Sequence, residues 1–230
     1  MTVAGATAAV AGGWPRDRRA EGGAPLVKIC GITRPDLAAA AVDAGADMIG
    51  LVHFSPSPRH LDPAAARDVA DAARGSALLV ALVVDADDAT LDTLVATVRP
   101  DALQLHGGET PERVAEVARR FGLPVAKALG VATADDLARA RDYDCLLLLD
   151  AKPPQDATRP GGLGRAFDWS LLDRLAPARP FLLSGGLTAD TVQKAVREVR
   201  PYGVDVSSGV ETEGVKDPSK MAAFVAAARS

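Results

Sequence analysis

The chain has 230 residues, 48% hydrophobic and 24% charged, an ordinary mix for a globular protein with one large core. A net charge of −4 gives no basic face and argues against nucleic acid as the main partner. No run approaches the ~18 apolar residues that cross a bilayer, so no membrane role is expected. The two cysteines, Cys30 and Cys145, fit a reducing compartment, the cytoplasm, better than a disulfide framework.

In chain order, residues 1–24 stand apart. A small, weakly apolar stretch precedes Arg16, Arg18 and Arg19, the reverse of signal-peptide order. The segment is expected to be a poorly ordered extension or a mis-assigned start, with residues 25–230 forming the single domain. Trp14 could anchor it to the bottom of the fold, but a frayed terminus is the favoured expectation.

From Leu26 onward, short apolar runs alternate with amphipathic stretches. Strands are predicted at Leu26–Cys30, Asp47–Phe54, Ala77–Val84, Ala102–His106, Val125–Leu129, Cys145–Asp150, Phe181–Ser184 and Val204–Val206. The helices predicted after them are Pro35–Ala44, Pro63–Arg74, Ala89–Val98, Pro111–Phe121, Ala134–Arg141, Trp169–Leu175, Ala189–Val199 and Pro218–Ala228. The strands are continuously apolar, as parallel strands covered on their outer face are. Asp62-Pro63, Thr110-Pro111 and Asp217-Pro218 each put an N-cap acceptor before a proline at the first helical position. Thr133 and Thr188 cap two more, and Gly45, Gly75 and Gly122 follow helix ends. Eight matched βα units predict a (β/α)8 TIM barrel, an α/β fold, in preference to an open doubly wound sheet.

Barrels of this kind carry their sites at the C-terminal ends of the strands, often with phosphate held after strands 7 and 8. The polar strand ends are Cys30, His53, Asp85, His106, Lys127, Asp150, Ser184 and Ser207. Two turns, Ser184-Gly185-Gly186 and Ser207-Ser208-Gly209, have the glycines and hydroxyls that let a backbone approach phosphate. Paired glycines also make ordinary tight turns, but two side by side here favour phosphate. Gly161-Gly162-Leu163-Gly164 lacks the strand–turn–helix context of a dinucleotide site.

Asp150, behind an apolar strand, is placed where a carboxylate can have the raised pKa of a general acid; a salt bridge to Lys152 or Arg159 is the plainer alternative. Arg59 lies in a loop stiffened by Pro56 and Pro58, and by itself it reads as a solvated surface arginine. His106 either lines the cavity or bonds neighbouring loops, the second being favoured. Cys145 reads as an inert core thiol. Lys28 is taken to point away from Cys30 on its strand. His53, His60 and His106 show no metal-ligand spacing, so no metal is expected.

Together, these strand-end segments resemble the phosphoribosylanthranilate isomerase family of tryptophan biosynthesis. The matching pieces are Lys28-Ile29-Cys30-Gly31-Ile32-Thr33, Gly45-Ala46-Asp47 leading to Ser57-Pro58-Arg59, and Gln104-Leu105-His106-Gly107. They continue with Leu149-Asp150, Gly161-Gly162 through Phe167-Asp168-Trp169, Ser184-Gly185-Gly186 and Asp205-Val206-Ser207-Ser208-Gly209-Val210-Glu211. The resemblance implies Cys30 as general base and Asp150 as general acid, with Arg59 on the substrate carboxylate. It implies the turns at Gly185, Gly186, Ser207, Ser208 and Gly209 as the phosphate site, with His106 a further candidate for substrate contact. It also implies an Amadori rearrangement of a small phosphorylated substrate, without metal or cofactor. Leu163 and His53 depart from the family's usual residues. Monomer and homodimer both remain open.

Two alternatives stand beside this reading. A bifunctional barrel acting on histidine- and tryptophan-pathway substrates would carry a carboxylate at position 30 and a second phosphate site. Asp85-Ala86-Asp87-Asp88 would repel that phosphate. A non-catalytic phosphosugar-binding barrel would have no reason to keep Cys30 and Asp150 together.

Overall fold

The computed structural model describes residues 14, 23–152, 161, 167–174 and 180–230. Eight parallel strands close a barrel in sequence order: β1 Leu26–Cys30, β2 Met48–His53, β3 Leu78–Val83, β4 Ala102–Leu105, β5 Val125–Val131, β6 Leu146–Ala151, β7 Phe181–Leu183 and β8 Gly203–Val206. The closing seam pairs β1 with β8, setting Lys28 opposite Asp205. On the other side of β1, Cys30 lies opposite Gly50 of β2. The expected (β/α)8 barrel is the fold observed.

The outer layer holds α1 Pro35–Asp43, α2 Pro63–Asp71, α3 Asp88–Val98, α4 Pro111–Phe121, α5 Ala134–Ala138, α6 Ala189–Val199 and α7 Pro218–Ala228. Several of their starts are fixed by side-chain acceptors, as the sequence predicts, whereas α1 begins after Arg34 without one. Asp62 accepts from the Ala65 amide at 2.9 Å, Thr110 from Arg113 at 3.3 Å, and Asp217 from Ser219 at 2.9 Å. Thr133 and Asp136 form a reciprocal capping box. Between β6 and β7 the expected helix is instead a 3-10 turn, Trp169–Arg174. Short 3-10 turns are common connectors between longer elements.

Among the described residues, three apolar regions result. One lies between the helices and the outer face of the strands. A second fills the lower barrel with Leu26, Met48, Val80, Leu146, Leu148 and Leu182 around the small Ala102, Ala126 and Ala128. Trp14 enters the space these alanines leave; it is 1% exposed, and its indole N–H points to the Val125 carbonyl at 3.4 Å. For Trp14 itself, then, the anchor holds and the frayed terminus does not; the rest of the 1–22 stretch lies outside the described residues. The third region, Cys30, Val52 and Leu82 with Phe54 and Val84, lies at the upper rim.

Candidate active site

Strand alternation decides which strand-end residues meet. The inward set on β1 is Leu26, Lys28 and Cys30, on β4 Ala102 and Gln104 with His106 beyond, and on β8 Gly203 and Asp205. A cleft opens at the C-terminal end of the barrel, lined among others by Cys30, Arg59, Gln104, His106 and Asp150. The turns containing Ser184 to Gly186 and Ser207 to Gly209 form another wall.

His53, Asp85 and Lys127 do not line the cleft. His53 and Lys127 follow inward-facing Val52 and Ala126 by one residue, so they turn to the outer face. There Lys127 is buried against the Gly107 carbonyl at 2.6 Å and Glu109 at 2.7 Å. Glu109 also accepts from the Asp85 and Gly107 amides. His53 bonds the Leu61 carbonyl through Nδ1 at 2.9 Å. Asp85 accepts from the Gly108 amide at 2.7 Å. Cys145, which precedes β6, is half-buried and remote from the cleft.

Lys28 corrects the sequence reading. Residues two apart on a strand share a face, so Lys28 lies on the Cys30 side of β1, fully buried, and its ammonium donates to Asp205 Oδ1 at 2.7 Å. Asp205 Oδ2 accepts from Ser184 Oγ at 2.9 Å. Burial opposes the charge on Lys28, but the Asp205 carboxylate and the Cys30 sulfur outweigh it and hold the ammonium well above its ordinary range. Burial pushes the Cys30 thiol up, and Lys28 opposes that rise.

Arg59 is likewise not a solvated surface residue. Its guanidinium donates from Nε and Nη2 to the two oxygens of Glu211, at 2.7 and 2.8 Å. Gly31 makes room for this: its φ is +77°, and a Cβ there would strike the Arg59 stem. Glu211 also binds the buried Lys216 ammonium, which donates to the Ser207 carbonyl at 3.2 Å. Burial raises the Glu211 carboxyl, but the two cations more than offset this and hold it below its usual range. In the sequence, Glu211 is marked only as part of a motif.

On the opposite wall, Asp150 Oδ2 lies 3.9 Å from His106 Nε2. Asp150 Oδ1 accepts from the Ala151 amide at 2.8 Å. Burial, helped by the Lys127 charge, pushes the His106 imidazole down to about 4, so it is neutral at pH 7. Gln104 Nε2 sits 3.4 Å from His106 Nδ1, and its buried Oε1 has no hydrogen-bond partner among the described residues. His106 therefore lines the cavity, against the favoured expectation. A Cβ on Gly161 would lie 2.6 Å from His106 Cε1 and 2.7 Å from Asp150 Oδ2. Gly162 to Gly164 and Arg159 fall outside the described residues.

The two glycine turns form one surface. Gly185 and Gly186 have φ of +91° and +63°, in the left-handed region open to glycine. Ser208–Val210 form a 3-10 turn, and the Gly209 Cα packs so closely on the Leu187 carbonyl that no side chain fits.

A family model described as "N-(5'phosphoribosyl)anthranilate (PRA) isomerase" matches residues 27–227. A relative from Rhodopseudomonas palustris (strain BisA53), named N-(5'-phosphoribosyl)anthranilate isomerase, is 59% identical over 208 residues, covering 89% of this chain and 95% of the relative. The crystal structure of phosphoribosyl anthranilate isomerase from Thermotoga maritima superposes with a TM-score of 0.79 at 37% identity, covering 89% of this chain and 98% of that one. Another such isomerase, solved in complex with reduced 1-(o-carboxyphenylamino)-1-deoxyribulose 5-phosphate, superposes at 0.76 with 35% identity and the same coverage. By sequence along nearly all of the barrel, and by fold, this chain belongs to the N-(5'-phosphoribosyl)anthranilate isomerase family.

Proposed function

We propose that the protein isomerises N-(5-phosphoribosyl)anthranilate to 1-(2-carboxyphenylamino)-1-deoxyribulose 5-phosphate, a step of tryptophan biosynthesis. The observation that carries this reading is a single cleft with Cys30 on one wall and Asp150 on another, between the glycine turns and Arg59. The phosphate sits on the turns of Gly185, Gly186, Ser207, Ser208 and Gly209. Val52, Phe54, Leu82 and Val84 offer an apolar wall to the anthranilate ring. The edge of Arg59 not used by Glu211 takes the ring carboxylate, and His106 and Gln104 meet the sugar. Gripping both ends fixes C2′ between acid and base.

Asp150 donates its proton to the furanose oxygen as the C1′–O bond breaks, leaving an iminium at C1′. Cys30, as thiolate, then takes the C2′ proton, and the C–H pair becomes the C1′=C2′ bond as the nitrogen is neutralised. The resulting enolamine tautomerises to the ketone. The iminium acidifies C2′, so a thiolate is basic enough and neither metal nor cofactor enters the chemistry.

The residues from 25 onward form the catalytic domain, active as monomer or homodimer: Cys30, Arg59, Asp150 and both glycine turns line the cleft from one chain. A reducing compartment, the cytoplasm, suits the thiol. A second, bifunctional activity is disfavoured, because the loops after β3 and β4 are occupied by Asp85 and Glu109 accepting local amides.

The test is the loss of substrate fluorescence in wild type against Cys30→Ser and Asp150→Asn. Each variant is expected to lose at least about a hundredfold in kcat; near wild-type turnover by both would overturn the assignment of base and acid.

A further inference from the structure

A buried thiolate needs a counter-charge, and the barrel supplies one directly beneath Cys30. Lys28 is on the same strand and face, with its ammonium anchored to Asp205 across the β1–β8 seam and Asp205 anchored in turn to Ser184. The space between the two side chains is kept by Gly50. A Cβ there would lie 2.8 Å from Cys30 Sγ and 3.0 Å from Lys28 Nζ, so sulfur and nitrogen lie within about 6 Å of each other. At that range an opposite charge favours ionisation.

We propose that Lys28 is a positioning residue whose ammonium, fixed by Asp205 and Ser184, is the counter-ion that sustains Cys30 as a thiolate. This rests on the reading of Cys30 as the base. The groups facing Cys30 are Lys28 on its own strand, Asp205 on β8, Lys216 near the C-terminus and Arg59 after β2. Lys216 and Arg59 are both engaged with Glu211. Among the described residues, Lys28 pairs with the Asp205 carboxylate alone, and it sits nearest along the strand. The arrangement has a built-in opposition. Lys28 favours the thiolate, and Asp205, needed to hold Lys28 charged and in place, repels it.

The opposition makes the test specific in sign. Iodoacetamide alkylation of Cys30, followed across pH by peptide-resolved mass spectrometry, reports its thiolate fraction without reference to isomerase activity. Lys28→Met is expected to raise the alkylation midpoint by at least about one pH unit, slowing alkylation about tenfold at neutral pH. Asp205→Asn is expected to lower it. Lys28→Met/Asp205→Asn, which removes both buried charges and leaves neither unpaired, keeps the test intact if Lys28→Met does not fold. Its midpoint is expected at least about one unit above that of Asp205→Asn. Equal midpoints in those two variants would overturn the role of Lys28. The pH profile of kcat/KM, taken on the same proteins, separates the two layers of the argument. A profile that moves with the alkylation midpoint supports both. A midpoint that moves under an unmoved profile supports the ion pair and overturns Cys30 as the base.

Discussion

Glu211, just after the last barrel strand, holds the guanidinium of Arg59, 152 residues earlier, through two parallel hydrogen bonds of 2.7 and 2.8 Å. Both side chains are less than a tenth exposed. A bidentate, desolvated pair fixes the fork in direction as well as place. Glu211→Gln should therefore raise KM roughly 10- to 100-fold, the range of one charge-assisted hydrogen bond, with a smaller effect on kcat. Steady-state kinetics decide this; a KM unchanged within twofold would mean that Arg59 needs no such support.

Gly161 is the point where the loop after β6 passes over Asp150 and His106. A methyl group there must displace one of the two. Gly161→Ala is expected to reduce kcat at least about tenfold, since displacing a reacting group by about 1 Å can cost a hundredfold. Far-ultraviolet circular dichroism should be unchanged. Wild-type kcat in this variant would remove Asp150 and His106 from the reacting centre.

The buried His106 gives stability a pH dependence of definite sign. Unfolded, its imidazole binds a proton near 6.5; in the barrel it does so only near 4. Between those values the unfolded chain holds more protons, so stability falls as pH falls. From pH 7 to pH 5 the loss due to His106 is about 2 kcal/mol. Glu109 and Glu211, whose carboxyls are held low, keep their contribution until the pH drops below the ordinary carboxylate range. Urea unfolding at the two pH values should show the wild-type loss shrinking by about that amount in His106→Gln. An equal loss in both proteins would show that the histidine ionises freely in the fold.

Trp14 fills the lower barrel from outside the stretch matched by the family model. Removing its indole leaves a cavity walled by Leu26, Met48 and three alanines. Trp14→Ala should cost about 3 kcal/mol in unfolding free energy. KM and kcat should stay close to wild type, because the cleft opens at the other end. A change below about 0.5 kcal/mol, the size of an ordinary surface substitution, would mean the indole leaves this site in solution.

Most of this architecture is legible in the sequence because each βα unit declares itself locally. Apolar runs, Asp-Pro and Thr-Pro caps and terminal glycines placed the strands and most helices to within a few residues, with 3-10 turns at Arg139–Asp142 and Trp169–Arg174 where helix was expected. The cleft was half legible. Cys30, Asp150 and the glycine turns stand at strand ends that the fold alone singles out. Arg59 could not be distinguished from a surface arginine, because its partner Glu211 lies 152 residues away. Lys28 was mistaken although the signal was present: a period of two sends residues 28 and 30 to one face. The same rule would have turned Lys127 and His53 outward. Gln104 gave no signal, since a lone glutamine in an apolar strand marks a site only once the fold sets it in the lining of the cleft.

The Lys28–Asp205 pair straddles the seam where the first and last strands meet. The sulfur's electrostatic environment is thus completed by a contact across 177 residues, one that forms only when the ring of strands shuts. Cutting the chain between α4 and β5 would leave Cys30 and Arg59 on one fragment, and Asp150, Asp205 and both glycine turns on the other. Neither fragment alone would hold a working constellation. Activity recovered on mixing them would report ring closure itself, with the enzyme as its own complementation assay.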